Sequence, residues 1–285
     1  MRAVAVGGGH GTAVSLRALK LLTTEVTGVV SVADDGGSTG RLRAMLNVAA
    51  VGDLRKCLGA LADPENPLTR SFEHRFGVGE LAGHAVGNLL LVGLVDATGD
   101  LEESVLALAE VMGVSGSIVP ASTTGVVLCA STEDGDTRGQ SAIAGCATIR
   151  RISFEPPNAA APIRAVEAIE RADVVVVGPG SLYTSVIAAA AIPGITQAIA
   201  GTRARVVYVA NLHPEIPETT GYSLQDHVDA LARHGVVPDV VLVDGLGEFA
   251  SSPCTIATHV SALSGGGGLV HDVQHLSDAI RAATE

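Results

Sequence analysis

Two glycine-rich strings hold the residue types best suited to grip an anion. The first, Gly7-Gly-Gly-His-Gly-Thr12, follows the apolar run 4–6 and precedes a predicted helix over 13–22. Strand, glycine turn and helix in that order aim backbone N–H groups and a helix N-terminus at one point, which favours a phosphate or another anion. Gly8, Gly9, His10 and Thr12 are the candidates there. The second string, Gly178-Pro-Gly-Ser-Leu-Tyr-Thr-Ser185, is delivered by a valine run at 174–177 and adds hydroxyls to its consecutive amides. Each hydrogen bond to a charged oxygen contributes about 1.5–3 kcal/mol, so three or four would hold a phosphate against water. Gly178, Gly180, Ser181, Leu182 and Thr184 are the candidates, and a plain helix N-cap at Ser181 is the simpler alternative.

Val32-Ala-Asp-Asp-Gly-Gly-Ser-Thr-Gly-Arg41 places Asp34 and Asp35 side by side at the end of a predicted strand, with Ser38 opening a helix. Adjacent carboxylates need a cation or donors. Asp35 is suited to a magnesium ion or a ligand hydroxyl, unless one acid caps the helix and the other faces solvent. Arg41, Arg43, Arg55 and Lys56 put four of the 18 basic residues into sixteen positions. That density reads as a clamp for a di- or polyphosphate, against the plainer reading of a solvated helix face. Asp53 and Arg55 fall in an expected loop that leads into a helix. His84 and Asn88, four apart in a helical region, are placed on one helical face, from which they reach a ligand together. Asn211 ends a strand, close to His213, and His227 and His234 read as surface residues.

The elements that must carry these residues alternate between buried strands and helices. Strands are expected near 2–7, 29–33, 118–119, 125–130, 148–154, 173–177, 205–210 and 239–243. Helices are expected at 101–112, 162–171, 222–234 and 273–283, with a flexible loop at 265–268. This is an α/β pattern with a doubly wound, mostly parallel sheet, one domain over 1–285, and a mainly helical insertion at about 50–115. The two glycine turns and the acidic turn then share one cleft.

Composition narrows the function. A mean hydropathy of +0.39 and 47% hydrophobic residues suit a buried sheet. A net charge of −12 and 2% aromatics argue against a nucleic-acid partner, which needs basic patches and stacking rings. No apolar run reaches the roughly 20 residues of a membrane helix, and the start lacks a signal-peptide pattern, so a cytoplasmic protein with no membrane partner is expected. Cys57, Cys129, Cys146 and Cys254 form no CxxC pair and read as free thiols. A dinucleotide fingerprint fits loosely, since Thr12 stands where its third glycine belongs, which leaves an NAD-linked dehydrogenase as the weakest of three readings.

Taken together, Gly7–Thr12, Val32–Arg43, Gly52-Asp-Leu-Arg55, Gly83-His-Ala-Val-Gly-Asn-Leu-Leu90, Gly178–Ser185 and Gly221-Tyr-Ser223 resemble the bacterial gluconeogenesis factor (YvcK-like) family. That family is related to 2-phospho-L-lactate transferase, the CofD enzyme of deazaflavin cofactor synthesis. The chain departs from the family pattern at Val51, Val86, 212–217 and Val270. The resemblance implies a Rossmann-like fold, binding of UDP-N-acetylglucosamine or a related nucleotide, and a role in cell shape and cell-wall precursor supply during gluconeogenic growth. It implies no established reaction and no required cofactor. A protein partner in precursor synthesis and homo-oligomeric assembly are the accompanying expectations. The alternative is an NDP-dependent phospholactyl-type transferase with magnesium on Asp35. The shortage of aromatic side chains for a flat acceptor tilts the reading toward the regulator.

Overall fold

The valine-rich runs do become strands, and glycine or short polar turns follow most of them. The computed structural model describes residues 1–46, 48–265, 268 and 270–285. Part of the loop expected at 265–268 therefore lies outside the described residues. The chain opens with β1 (Arg2–Gly7), α1 (Gly9–Lys20), β2 (Glu25–Val30) and α2 (Gly37–Leu46). Four helices follow, α3 (Gly52–Leu61), α4 (Pro67–Phe72), α5 (Val86–Thr98) and α6 (Leu101–Val111), before β3 (Ser117–Pro120). Next come β4 (Val127–Thr132), β5 (Gly135–Arg138), α7 (Gln140–Ile143), β6 (Ile149–Glu155) and α8 (Ile163–Glu170). The remainder is β7 (Val174–Val177), a π-helical segment Leu182–Ile187, α9 (Ala188–Ala190), α10 (Pro193–Gly201), β8 (Arg205–Val209), α11 (Leu224–Arg233), β9 (Val240–Asp244), β10 (Ala257–Ser261) and α12 (Val273–Thr284).

Seven strands form one parallel sheet in the order β10-β9-β8-β7-β1-β2-β3. The chain winds outward from β1 through β2 to β3, then returns to β7 on the other side of β1 and winds the opposite way. Right-handed crossovers thus put α1 and α10 on opposite faces of the sheet. All four valines of β7 are fully buried, as a strand covered on both faces requires. The reversal lies between β1 and β7, and both of these strands end in glycine turns. Such a reversal opens a crevice at the carboxyl ends of the strands, where open α/β sheets take ligands.

Four helices, α3 to α6, fall within 50–115, and residues 73–85 between them are turns and a β-bridge between Arg75 and Ala85. A second feature is new. Strands β5-β4-β6 form a separate antiparallel sheet that joins no strand of the main one. Its central strand alternates, burying Leu128, Ala130 and Thr132, so it covers the core with one face only. No single described helix is long and apolar enough to cross a membrane, and the bent pair Leu182–Ala190 and Pro193–Gly201 turns by 76°.

Candidate functional site

The two glycine turns touch. A side chain at Gly11 would run into the carbonyl of Pro179, so only glycine lets α1 approach the second turn this closely. Ser15 on α1 donates from its hydroxyl to the Gly178 carbonyl at 2.7 Å, which ties the turns together. The acidic turn joins them through α7. Asp35 Oδ1 accepts the Ser141 N–H at 2.8 Å, and Gln140 Nε2 donates to the Thr184 carbonyl at 3.1 Å. The segments 7–12, 34–43 and 178–185 therefore meet at one sheet edge.

Each glycine turn already holds an anion, and the anion is internal. At the start of α1 it is Asp53, which lies against Gly8 and Gly9 and pairs with Lys56 Nζ at 3.0 Å. A Cβ on Gly8 would lie 2.6 Å from Asp53 Oδ2, which explains the glycine. Burial raises the pKa of Asp53, Lys56 opposes the rise, and nearby Asp34 adds to it. Thr12 is turned inward, its hydroxyl donating to the Gly8 carbonyl. His10 is exposed, with a pKa lowered by partial burial and by Lys56. At the second turn the anion is Glu218, which is buried. It accepts the Tyr183 N–H and the Thr184 hydroxyl, both at 2.7 Å. Burial raises its pKa, and the Tyr183 N–H works against that rise. Thr184 and Leu182 thus face inward. Asn211 exchanges two hydrogen bonds with Gly180, at 2.9 and 3.0 Å, and is spent on shaping the turn. Ser181 is half-buried and makes no capping bond among the described residues, because Glu218 caps in its place.

The open cavity lies beside these turns, at the N-termini of α2 and α3. It measures about 580 Å³ and is lined by Arg41, Arg55, Lys56 and Arg75, with Asp34 as the acid facing them. Ser38, Thr39 and Asn88 supply polar side chains to its wall. Arg55 is held by Glu73, and Lys56 by Asp53. Arg41 and Arg75 donate to backbone carbonyls, of Ala82 at 2.7 Å and of Gly83 at 2.9 Å. Those two guanidiniums have no carboxylate partner among the described ion pairs and are the cations a ligand would meet. In a chain of net charge −12, four basic side chains gather here at two helix starts, the ends of a helix that favour negative charge. Behind the wall, Ser38 Oγ lies 2.9 Å from His84 Nδ1 and accepts from Asn88 Nδ2 at 3.0 Å.

Several expectations need correction. Asp53 and Arg55 lie in the first turn of α3 and are buried, since Gly52 starts a helix where a loop was expected. Helix α2 begins at Gly37, so Ser38 sits inside its first turn and does not cap it. His84 precedes α5 in a turn, so it shares no helical face with Asn88; the two meet through Ser38 instead. Arg43 is not in the clamp. Its guanidinium braces the carbonyls of Ala33, Asp34 and Val126. His227 and His234 are buried, one bonded to the Tyr208 hydroxyl and the other to the Ile152 N–H. Sequence reasoning missed Arg75, Glu73 and Glu218. None belongs to a periodic run or a glycine string, and no local signal marks them.

Asp34 and Asp35 diverge as neighbours in extended chain do. Asp35 lines a separate cavity of about 640 Å³ with Arg43, Val127 and Arg138. With Oδ1 given to Ser141, Asp35 is a thin donor set for magnesium, and no three His, Cys, Asp or Glu side chains gather around an ion position among the described residues. Magnesium there would need oxygens from a bound diphosphate. A cavity of about 600 Å³ at the amino ends of β7 and β8 is set aside. Its acids Asp173 and Asp239 are bonded to strand amides, and it faces away from the turns.

Fold and site together define a Rossmann-like α/β protein with a basic-lined cavity beside its strand reversal. The chain belongs to the family described as 2-phospho-L-lactate transferase CofD, whose model matches residues 3–252. The gluconeogenesis factor of Halalkalibacterium halodurans is 42% identical over 245 residues, covering 84% of this chain and 76% of that protein. The gluconeogenesis factor of Bacillus subtilis is 39% identical over 231 residues, 80% of this chain and 73% of its own. A relative from Deinococcus radiodurans is 47% identical over 250 residues, yet the chain spans only about half of it, 53%. A crystal structure of a UPF0052 family protein from Bacillus halodurans superimposes with a TM-score of 0.91 at 37% identity, covering 98% of both chains.

Proposed function

We propose that this chain is a nucleotide-sugar-binding regulatory factor that seats the diphosphate of UDP-N-acetylglucosamine, or of a related nucleotide, in the basic cavity. In this reading it works in the cytoplasm as a homo-oligomer. It acts through a protein partner on cell shape and cell-wall precursor supply under gluconeogenic growth. The observation that carries the reading is the meeting of Arg41, Arg55, Lys56 and Arg75 at the starts of α2 and α3, in an otherwise acidic protein. The relatives described as gluconeogenesis factors support the link to gluconeogenic growth and no more of this reading than that.

A second reading takes up the reaction that the family's description names: an NDP-dependent phospholactyl-type transferase, with magnesium near Asp35 as a further part of the proposal. Calorimetry with UDP-N-acetylglucosamine, GDP and NAD, each with and without magnesium, separates the two. Metal-independent binding of the nucleotide sugar is the expected result. GDP binding that requires magnesium overturns it in favour of the transferase, and NAD as the preferred ligand overturns both.

A further inference from the structure

Ser38 is surrounded by more chemistry than a binding hydroxyl needs. It is 6% exposed and stands on the wall of the basic cavity. Asn88 supplies a hydrogen to its Oγ, so its own hydrogen is free to be donated to Nδ1 of a neutral imidazole, 2.9 Å away. His84 is held in that pose by its backbone. Its N–H donates to the Leu81 carbonyl at 2.9 Å, and its carbonyl accepts the Phe76 N–H at 3.1 Å. Burial, reinforced by the Arg41 guanidinium, lowers the His84 pKa, which leaves the ring neutral and able to take a proton. The cations that would neutralise phosphate oxygens line the same cavity.

We propose that Ser38 and His84 are a nucleophile and its general base, and that Ser38 accepts a phosphoryl group from a phosphate ester or anhydride seated in the basic cavity. The inference rests on the phosphate-binding reading above and adds a reaction to it. Ser38 Oγ forms the bond to phosphorus while the bond from phosphorus to the leaving oxygen breaks, and that oxygen departs with the electron pair. The hydroxyl proton passes to His84 Nδ1. The product is O-phosphoserine at position 38, inside the cavity that the donor occupied.

The test uses the full chain and p-nitrophenyl phosphate, with binding of that compound and of orthophosphate measured first by calorimetry. Peptide mass mapping then locates the adduct, and released p-nitrophenolate times it. The expected result is one phosphoryl group on Ser38 with a matching burst of p-nitrophenolate, and no adduct at that position in Ser38→Ala. His84→Asn keeps a hydrogen-bonding group beside Ser38 but removes the base, and should slow the burst by about 10²- to 10⁴-fold. A donor that binds yet leaves Ser38 unmodified overturns the inference, as does an adduct that forms equally fast in His84→Asn. Failure of both phosphates to bind overturns this inference, whereas the nucleotide-sugar reading on which it rests falls only if the nucleotides also fail to bind in the calorimetry above.

Discussion

Replacing Glu218 by alanine tests whether the second glycine turn is held from inside. The carboxylate accepts from the Tyr183 N–H and the Thr184 hydroxyl, each at 2.7 Å. Alanine leaves one buried amide and one buried hydroxyl without an acceptor, at about 1–3 kcal/mol each. Against that, the variant no longer buries a carboxylate, whose raised pKa shows that its burial is unfavourable. The net loss should be about 3 kcal/mol. Glu218→Gln keeps one oxygen for the Tyr183 N–H and offers an amide that the Thr184 hydroxyl can accept from, so about 1 kcal/mol is expected. Urea unfolding followed by circular dichroism gives both numbers, and amide hydrogen exchange over 182–185 shows where protection is lost. Sign matters for the pH dependence. With its pKa raised in the folded state, the native protein binds more protons than the unfolded chain just above the ordinary carboxyl value. The Glu218 contribution therefore falls as pH rises through that window, and the glutamine variant should lose this slope. A Glu218→Ala protein as stable as the parent, with unchanged exchange at 182–185, would refute the idea that this carboxylate holds the turn.

The cavity offers a sharper functional test: Arg75→Ala and Arg41→Ala should each weaken orthophosphate or nucleotide binding about tenfold or more, with a shallower salt dependence, while melting temperatures stay near the parent value. Binding unchanged in both variants removes this cavity from the site. Arg43→Ala should behave in the opposite way, losing stability through three unbraced carbonyls. His227 is buried, and its pKa is lowered to about 4. The unfolded chain thus binds more protons between about pH 4 and 6.5, and stability should rise with pH across that window by about 3 kcal/mol from this residue. His234 and His271 act in the same direction, so the His227 share is the difference between acid titrations of the parent and of His227→Gln.

What the amino-acid sequence determined by itself was the local structure that apolar runs and glycine turns dictate, whereas the helix start at Gly52 and the turn at His84 escaped it. Four consecutive valines before Gly178 can only be a strand covered on both faces, and glycines after strands at 7 and 178 announce sharp turns into helices. That much sets the alternation of strand and helix and the carboxyl edge where the turns collect. The basic run at 41–56 was equally legible, because clustering is a property of spacing. Tertiary structure alone decided which of those cations face the cavity. Arg41 and Arg43 are two residues apart on α2, so the helix turns them roughly 200° from each other; one lines the cavity and the other braces a loop. Arg75 joins the cavity from a turn more than thirty positions from Arg41. Likewise Asp53 and Glu218 fill the positions at the two glycine turns where a ligand's anion was expected, while the basic side chains gather at the starts of α2 and α3. A helix start attracts negative charge whatever its source, and only the folded chain decides whether a ligand or its own carboxylate arrives first.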